Sequence, residues 1–338
     1  MRIAASVGFE TDDNYLKFLR QYGVHDLIFG AKGGEWATTR FPPEKALEPG
    51  NHWKTEELVE IKNRFEKFGF RFACIENPVP FWCWDKIQMG KPGRDVQIEN
   101  LAMTVRAMGE AGIPIMGYCW MVNPHGATRG SFRTTFDEVV RGDAIAEGFD
   151  LDMAKDLPLY RDRVYSEEEM WDYYEYFVKA IAPVLEDSGV KMGLHPDDPP
   201  VKSLGGMPRL FGSPEGFRKG VDIANSPNIG LNMCLGNWAA MGTDILAAVD
   251  EFGSRGLIYY AHAQGVTGTV PKFIENFIDE ADCDFFSVMR AIDKVAQDAF
   301  ILPGHFPHTA GETSKRHQAH AFSIGYLAAL NKVAGMMD

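Results

Sequence analysis

Short, mostly apolar runs alternate with longer amphipathic runs from one end of the chain to the other. The apolar runs predict eight strands: Ile3–Val7, Asp26–Ala31, Phe70–Ile75, Pro114–Trp120, Lys191–His195, Ile229–Cys234, Leu257–His262 and Ala299–Leu302. The amphipathic runs predict helices near Asp13–Gln21, Glu56–Phe68, Val96–Ala111, Glu167–Asp187, Glu215–Ala224, Asp244–Phe252, Phe285–Gln297 and Ser314–Met336. Strands that alternate with helices are typical of a parallel sheet, because parallel neighbours need a crossover connection.

Eight strand–helix pairs in 338 residues predict a TIM (β/α)8 barrel that forms a single domain over residues 1–338. A doubly wound open sheet is the alternative, and the number of strands disfavours it.

Several helix ends are marked by capping residues in the sequence. Ser166 and Glu169 form a capping-box pattern, and four glycines follow predicted helices as C′ residues, namely Gly69, Gly112, Gly189 and Gly253.

Two connections are too long to be simple turns. They span residues 121–165 and 263–284, and each follows a predicted strand. Both would lie over the carboxyl ends of the strands, which is the catalytic face of such barrels. We expect these insertions to act as lids.

Composition narrows the kinds of partner that the chain can have. Charged residues make up 24% of the sequence, and the net charge at pH 7 is −13 with no basic cluster. Nucleic acid and anionic membranes are therefore not expected partners. A small-molecule substrate is expected, as is assembly into a homo-oligomer.

The cysteines and the N-terminal sequence indicate the cellular compartment. The number of cysteines is odd and none of them forms a CxxC pair, which favours a reducing environment over a disulfide framework. The chain begins with a strand-like run and has no signal-peptide pattern. No apolar stretch is long enough to span a bilayer. We therefore expect a cytoplasmic protein.

Potential metal ligands stand at the ends of three consecutive predicted strands. His195 ends the fifth strand, Cys234 the sixth and His262 the seventh. Adjacent strands lie about 4.8 Å apart, so inward side chains from three neighbours can reach one ion. A cysteine among the donors favours a borderline-soft ion such as Mn, Fe, Co or Zn over Mg or Ca.

Two carboxylates follow directly after the first of these donors. Asp197 and Asp198 could fix the tautomer of His195 or act as bases. Capping of the proline-rich loop is an equally good interpretation of both residues.

Several segments of the chain resemble the mannonate dehydratase family, a group of xylose-isomerase-like barrels. The segments are Gly90–Asp95, Ile98–Asn100, Ala111–Pro114, Phe177–Ile181, Val190–Pro200, Gly206–Arg209 and Met233–Gly236. The most specific are the HPDDPP run that begins at His195 and the Met-Cys-x-Gly run around Cys234.

The resemblance implies an activity and a ligand set. The family removes water from a six-carbon sugar acid to give a 2-keto-3-deoxy product, with a divalent metal that is usually Mn²⁺. Its ligands are the histidine of HPDDPP, the cysteine of Met-Cys-x-Gly, a histidine after the seventh strand and an aspartate after the eighth. The first three correspond to His195, Cys234 and His262.

The end of the eighth strand departs from the family pattern. The family reads Arg-Pro-Asp-His-Gly, and this chain reads Leu302-Pro303-Gly304-His305-Phe306. Gly304 thus replaces the aspartate ligand and Leu302 replaces the arginine. The resemblance implies that His305 is the family's acid–base histidine. His305 and Asp197, which follows His195 and could act as a base, are therefore the candidate catalytic residues.

Other substrate-binding positions also differ. Gln264 replaces the arginine two residues beyond the seventh-strand histidine. Gly126-Ala127 replace an Asp-Trp pair, although Thr128-Arg129 are kept. Near the last helix, Lys315 or Arg316 lies about where the family has a catalytic tyrosine.

Aromatic residues gather in the loops where charged groups are lost: Phe81, Trp82, Trp84, Trp120, Phe273 and Phe306. They either pack the lids or line a pocket. If they line it, the substrate-binding residues are Trp82, Trp120, Gln264 and Arg129. Because a polar pocket without its charged partners leaves a charged substrate unpaired, mannonate should be a poor substrate.

We therefore predict a metal-dependent lyase of the mannonate dehydratase type, acting on a sugar acid or related polyol other than mannonate. Isomerisation or bond cleavage of a bulkier, partly aromatic or glycosidic substrate is one alternative. A binding protein that has lost catalysis is another.

Overall fold

The computed structural model describes residues 1–30, 35–123, 133–313 and 317–336, and eight of its strands close into a barrel. The barrel strands are β1 (Arg2–Val7), β2 (Asp26–Gly30), β3 (Arg71–Glu76), β4 (Ile115–Cys119), β5 (Lys191–His195), β6 (Ile229–Cys234), β7 (Ile258–Ala263) and β8 (Phe300–Pro303). Each strand pairs in parallel with its neighbours along the chain, and β8 closes the ring against β1. The predicted TIM barrel is confirmed.

A long helix follows each barrel strand. These helices are α1 (Asp13–Gln21), α2 (Thr55–Glu66), α3 (Arg94–Glu110), α4 (Glu167–Ser188), α5 (Pro214–Ala224), α6 (Ile245–Ser254), α7 (Phe285–Val295) and α8 (His317–Met336). None of the helices in the described part of the chain has both the length and the apolar character that crossing a bilayer requires.

Most of the predicted helix-capping residues lie at helix ends in the structure. Ser166 and Glu169 form the predicted capping box at the start of α4, and Gly189 ends that helix in the left-handed conformation. The prediction for Gly253 was wrong, because this glycine lies inside α6 and Gly256 has the positive φ instead. Gly253 is needed for space, since a Cβ there would collide with the side chain of Val295 on α7.

Two apolar cores stabilise the barrel. The larger core lies between the strands and the helices. The smaller one fills the barrel interior with side chains from six of the barrel strands, including Cys74, Tyr260, Phe300 and Leu302. Burial of these side chains is the main source of stability, at roughly 25 cal/mol for each Å² of apolar surface removed from water.

Glycines make room for a large side chain inside the barrel. A Cβ on Gly117 of β4 would fall on the Tyr260 hydroxyl, and one on Gly193 of β5 would lie 3.0 Å from the Tyr260 ring. The phenol of Tyr260 therefore reaches across the barrel axis toward β3, on the far side from its own strand β7.

The two predicted insertions meet in one small sheet. Its antiparallel strands follow the order Thr267–Thr269, Lys272–Ile274, Ile145–Asp150 and Phe136–Val139. We call this four-stranded unit the rim sheet. The second and third strands pair through Phe273 and Phe149, so the rim sheet joins the insertion after β4 to the one after β7. Its function as a lid stays a prediction.

Candidate metal centre and its surroundings

The side chains of His195, Cys234 and His262 converge at the carboxyl ends of β5, β6 and β7. One ligand atom from each of them lies within 4.8 Å of the other two. The two imidazole ring centroids are 5.2 Å apart, and Cys234 is almost completely buried beside them. In the register of the sheet, Cys234 is directly opposite His262, which explains how consecutive strands bring these donors together.

The backbone fixes the tautomer of His195. Its Nδ1 lies 2.7 Å from the carbonyl oxygen of Pro196. Because a carbonyl oxygen can only accept a hydrogen bond, Nδ1 must carry the proton in this contact. Nε2 is then the nitrogen that remains to bind a metal ion.

Cys234 is placed to ionise near neutral pH. Burial opposes ionisation, but the charge of His195 and hydrogen bonds from His195 and His262 lower the pKa of the thiol to about 6. The side-chain amide of Asn237 also donates to Sγ at 3.3 Å. A thiolate is the form of cysteine that binds metal.

Glu76 at the end of β3 supports His262 from across the barrel. Its Oε1 lies 3.1 Å from His262 Nε2 and accepts hydrogen bonds from the Tyr260 hydroxyl at 2.9 Å and from Asn232 Nδ2 at 3.0 Å. Burial lowers the pKa of His262, but the carboxylate of Glu76 and the contact with Cys234 raise it to about 9. A metal ion must therefore displace a proton from His262 when it binds.

A buried chain of contacts links Cys234 to His305. The thiol Sγ lies 3.4 Å from Gln264 Oε1, and Gln264 Nε2 donates to Glu275 Oε1 at 2.5 Å. The same carboxylate oxygen lies 2.5 Å from His305 Nδ1. Gly236 allows this approach, because a Cβ there would lie 2.8 Å from the Gln264 side chain. The glycine of the Met-Cys-x-Gly segment thus has a steric role.

Arg133 connects this chain to the loop after β5. Its guanidinium contacts the carboxylates of both Glu275 and Asp198, and all three residues are buried. Arg133 precedes the rim sheet in the first insertion, and Glu275 directly follows a strand of the rim sheet in the second. The ion pairs therefore join both insertions to the catalytic face.

Asp197 is buried and is held by contacts within the protein. Its Oδ2 accepts from the backbone N–H of Phe211 at 2.6 Å, and its Oδ1 lies 3.7 Å from Arg209. Burial raises the pKa of Asp197, and Arg209 opposes that shift. This placement favours a structural role, in which Asp197 stabilises the loop after β5. It does not support the catalytic role predicted for Asp197.

Most of the aromatic loop residues pack against the protein, whereas Phe81 is 45% exposed. Trp120 is 2% exposed and stacks on Phe177 of α4 at 5.7 Å, within a cluster that includes Trp84. Trp82 is half-buried and donates from Nε1 to the Phe41 carbonyl at 2.7 Å. Phe273 is buried in the rim sheet. The structure therefore does not support substrate contact by Trp120, and it ties the indole N–H of Trp82 to the backbone.

The end of β8 leaves open space around Gly304. Leu302 lies opposite His262 in the sheet and points into the barrel interior. Gly304 follows directly after β8, and a Cβ built on it would meet no atom within 4 Å among the described residues. Arg129, Lys315 and Arg316 lie outside the described residues.

Sequence reasoning missed Glu76, Arg133 and Glu275. Glu76 had a usable signal, because it directly follows the predicted strand Phe70–Ile75 and, like His195, is a polar residue at a strand end. Arg133 and Glu275 come from the insertions, where neither hydrophobic periodicity nor a sequence motif indicates which side chains turn inward.

The donor set suits a divalent transition metal. Two imidazole nitrogens and a thiolate are ligands that borderline-soft ions prefer. The contact of His195 Nδ1 with Pro196 leaves Nε2 for a metal ion, and the lowered pKa of Cys234 favours the thiolate that binds metal.

Sequence comparison identifies one family over almost the whole chain. The family model described as D-mannonate dehydratase (UxuA) matches residues 9–338. Mannonate dehydratase from Streptococcus equi subsp. zooepidemicus is 30% identical over 327 residues, which cover 88% of this chain and 87% of that protein. The corresponding enzyme from Streptococcus suis is 30% identical over 291 residues, which cover 79% of this chain and 78% of that protein.

Solved structures agree with this family and with the fold. The crystal structure of mannonate dehydratase from Streptococcus suis serotype 2 superimposes with a TM-score of 0.83 at 25% identity, covering 99% of this chain and 95% of that one. D-psicose 3-epimerase from Clostridium cellulolyticum H10 gives a TM-score of 0.60 at 10% identity, covering 98% and 99% of the two chains. At that identity, the second match shows the shared fold alone.

Proposed function

We propose, from the premise that the chain belongs to the D-mannonate dehydratase family, that it is a metal-dependent hydro-lyase acting on a sugar acid or a related polyol. The observation that carries this proposal is the convergence of His195, Cys234 and His262 at the ends of three consecutive strands. Family membership supports the hydro-lyase chemistry, and the three donors support the metal dependence.

The metal would be held by His195 through Nε2, by the Cys234 thiolate and by His262. Because Glu76 contacts Nε2 of His262, Nδ1 is the nitrogen that remains for binding. Mn²⁺ is the ion that the family resemblance favours. When bound, such an ion polarises an oxygen next to the carbon that loses a proton.

Proton transfer is assigned to His305. Its Nδ1 is engaged by Glu275, so Nε2 is the nitrogen that would exchange a proton with the substrate. The rim sheet would exclude water from this step, since both insertions contribute to it and cover the catalytic face.

D-Mannonate is not expected to be the best substrate. Leu302 and Gln264 stand where the family resemblance implies arginines, and Gln264 is buried between Cys234 and Glu275. Losing one charged hydrogen bond costs about 1.5–3 kcal/mol, so two losses lower turnover by orders of magnitude. The packing of Trp120 and Trp84 removes the main support for a bulky aromatic substrate, which leaves a sugar acid or polyol as the preferred class.

The test combines metal analysis with a substrate panel. Protein purified without chelator should contain a divalent transition metal. The C234A variant should bind Mn²⁺ at least 100-fold more weakly than the wild type. C283A is the matched control, because Cys283 is buried in the second insertion and is not among the three donors.

A panel of aldonic and uronic acids, with Mn²⁺ present, should give a 2-keto-3-deoxy product from at least one acid other than D-mannonate. Absence of metal together with an unchanged melting temperature on adding Mn²⁺ would refute the metal centre. A catalytic efficiency for D-mannonate of about 10⁴ M⁻¹s⁻¹ or more would refute the substrate proposal.

A further inference from the structure

Glu275 occupies a buried junction between the two insertions and the end of β8. It is 2% exposed, and its Oε1 lies 2.5 Å from both His305 Nδ1 and Gln264 Nε2. The guanidinium of Arg133 contacts the same oxygen. Three donors on one carboxylate oxygen are best satisfied by the ionised form, which only accepts hydrogen bonds.

We infer that Glu275 is the positioning residue of His305, an inference that rests on the proposed role of His305 in proton transfer. An ionised carboxylate requires a donor from the ring, so Nδ1 carries the proton and Nε2 is directed to the other side of the imidazole. A carboxylate that orients a histidine in this way also stabilises the imidazolium that forms when the ring takes a proton.

The backbone of His305 supports this assignment. Its φ of 42° lies in the left-handed region, which non-glycine residues adopt infrequently and at a cost of order 1 kcal/mol or more. Such a conformation persists where surrounding contacts fix it. The hydrogen bond to Glu275 is one contact that holds the ring in this position.

The arrangement makes His305 depend on both insertions. Glu275 follows the rim-sheet strand Lys272–Ile274, and Arg133 comes from the first insertion, where it also contacts Asp198. Arg133 balances the charge of Glu275 in a buried site, where an unpaired carboxylate is strongly disfavoured. His305 is therefore oriented only when both insertions lie in place over the barrel.

A purely structural ion pair between the insertions is the competing interpretation. It predicts that substitution of Glu275 lowers stability and leaves the state of His305 unchanged. The rim sheet offers a matched control, because His308 Nε2 lies 3.4 Å from Glu147 Oε1 on the same sheet, and the His308 side chain is half exposed.

The experiment uses protein labelled with ¹⁵N-histidine and observes imidazole N–H resonances by NMR. Wild-type protein should show a far-downfield N–H proton with an Nδ1-protonated tautomer pattern, assigned to His305 by its loss in H305N. E275Q should lose or shift this resonance, and E147Q should retain it. E275D keeps the charge for Arg133 but withdraws the carboxylate by one methylene, so it should fold and also lose the resonance.

Activity provides the second readout, measured with the best sugar acid from the panel and Mn²⁺. E275Q should lower kcat 10- to 100-fold and change KM less than threefold, while metal content stays at the wild-type level. An unchanged His305 resonance in both folded Glu275 variants would overturn the inference. Failure to find any dehydrated product would refute the proposed function instead, because the NMR result does not depend on turnover.

Discussion

The two sides of the barrel rim shift the pKa of a buried histidine in opposite directions. At the ends of β5 to β7, His262 lies beside the carboxylate of Glu76, and its pKa is raised to about 9 despite burial. Behind β8, His320 of α8 is packed against Tyr15 and Phe306, and burial lowers its pKa to about 4. Similar burial thus gives a histidine that favours positive charge on one side and a neutral one on the other.

The difference shows what a strand-end carboxylate contributes. Glu76 holds His262 within reach of a thiol that burial alone would keep protonated, so the donor side is organised around charge. The β8 side has Leu302 and Gly304 at the corresponding level and supplies an apolar wall and open space. A metal held by the donor side would therefore have an open flank toward β8.

The largest effect in this comparison is expected from E76Q. Replacing the carboxylate with an amide keeps the shape but removes the charge that supports His262, so Mn²⁺ affinity should fall 10- to 100-fold. Isothermal titration of metal-free protein with Mn²⁺ measures this change. Y260F is the control, because it removes one hydrogen-bond donor to Glu76 and leaves the contact between Glu76 and His262. It should change Mn²⁺ affinity less than threefold. Equal affinities for wild type and E76Q would show that Glu76 does not support the site.

A smaller effect is expected from adding a donor on the β8 side with G304D. The position has room for a side chain, because a Cβ there contacts no described atom within 4 Å. A fourth, anionic ligand should tighten Mn²⁺ binding about 10-fold, in line with the preference of such ions for complete coordination. G304A separates the added carboxylate from the added Cβ and should bind as wild type does. If G304D folds and binds no tighter than G304A, the open flank does not face the metal.

The sequence predicted the barrel well because its strands are continuous apolar runs with abrupt polar ends. All eight predicted strands begin and end within one residue of those observed, and His195, Cys234 and His262 are predicted ligands because each closes such a run. Parallel register then brings these side chains together without any further information. Strand-end position and ligand type were sufficient for this part of the site.

The remaining part depends on side-chain direction, which residue type does not reveal. Trp120 follows β4 as a polar donor would, yet its ring turns outward onto α4. Asp197 turns inward to hold Phe211, and Glu275 reaches His305 only because two insertions meet in a sheet. These contacts join residues that are distant in the chain, so no local pattern encodes them.

The smallest expected effect is a pH dependence of stability from His320. The Tyr15 hydroxyl lies 2.6 Å from His320 Nδ1, and burial raises the pKa of Tyr15 to about 12, so the hydroxyl keeps its proton and can donate to a neutral ring. The pKa of His320 is about 4 in the folded protein and 6.5 in the reference state, so the unfolded chain binds the extra proton between these values. Stability from the neutral ring is therefore complete above pH 6.5 and declines as the pH falls toward 4.

From pH 7.5 to 6.0 this linkage should lower the free energy of unfolding of the wild type by ~0.8 kcal/mol more than that of H320Q. Urea denaturation at the two pH values measures the difference. H25Q removes an exposed histidine and controls for the loss of one imidazole. Parallel pH dependence of wild type and H320Q would mean that His320 takes up its proton without unfolding, and the contrast with His262 would then fail. A steeper decline for the wild type and for H25Q than for H320Q would instead establish that burial on the β8 side keeps this histidine neutral.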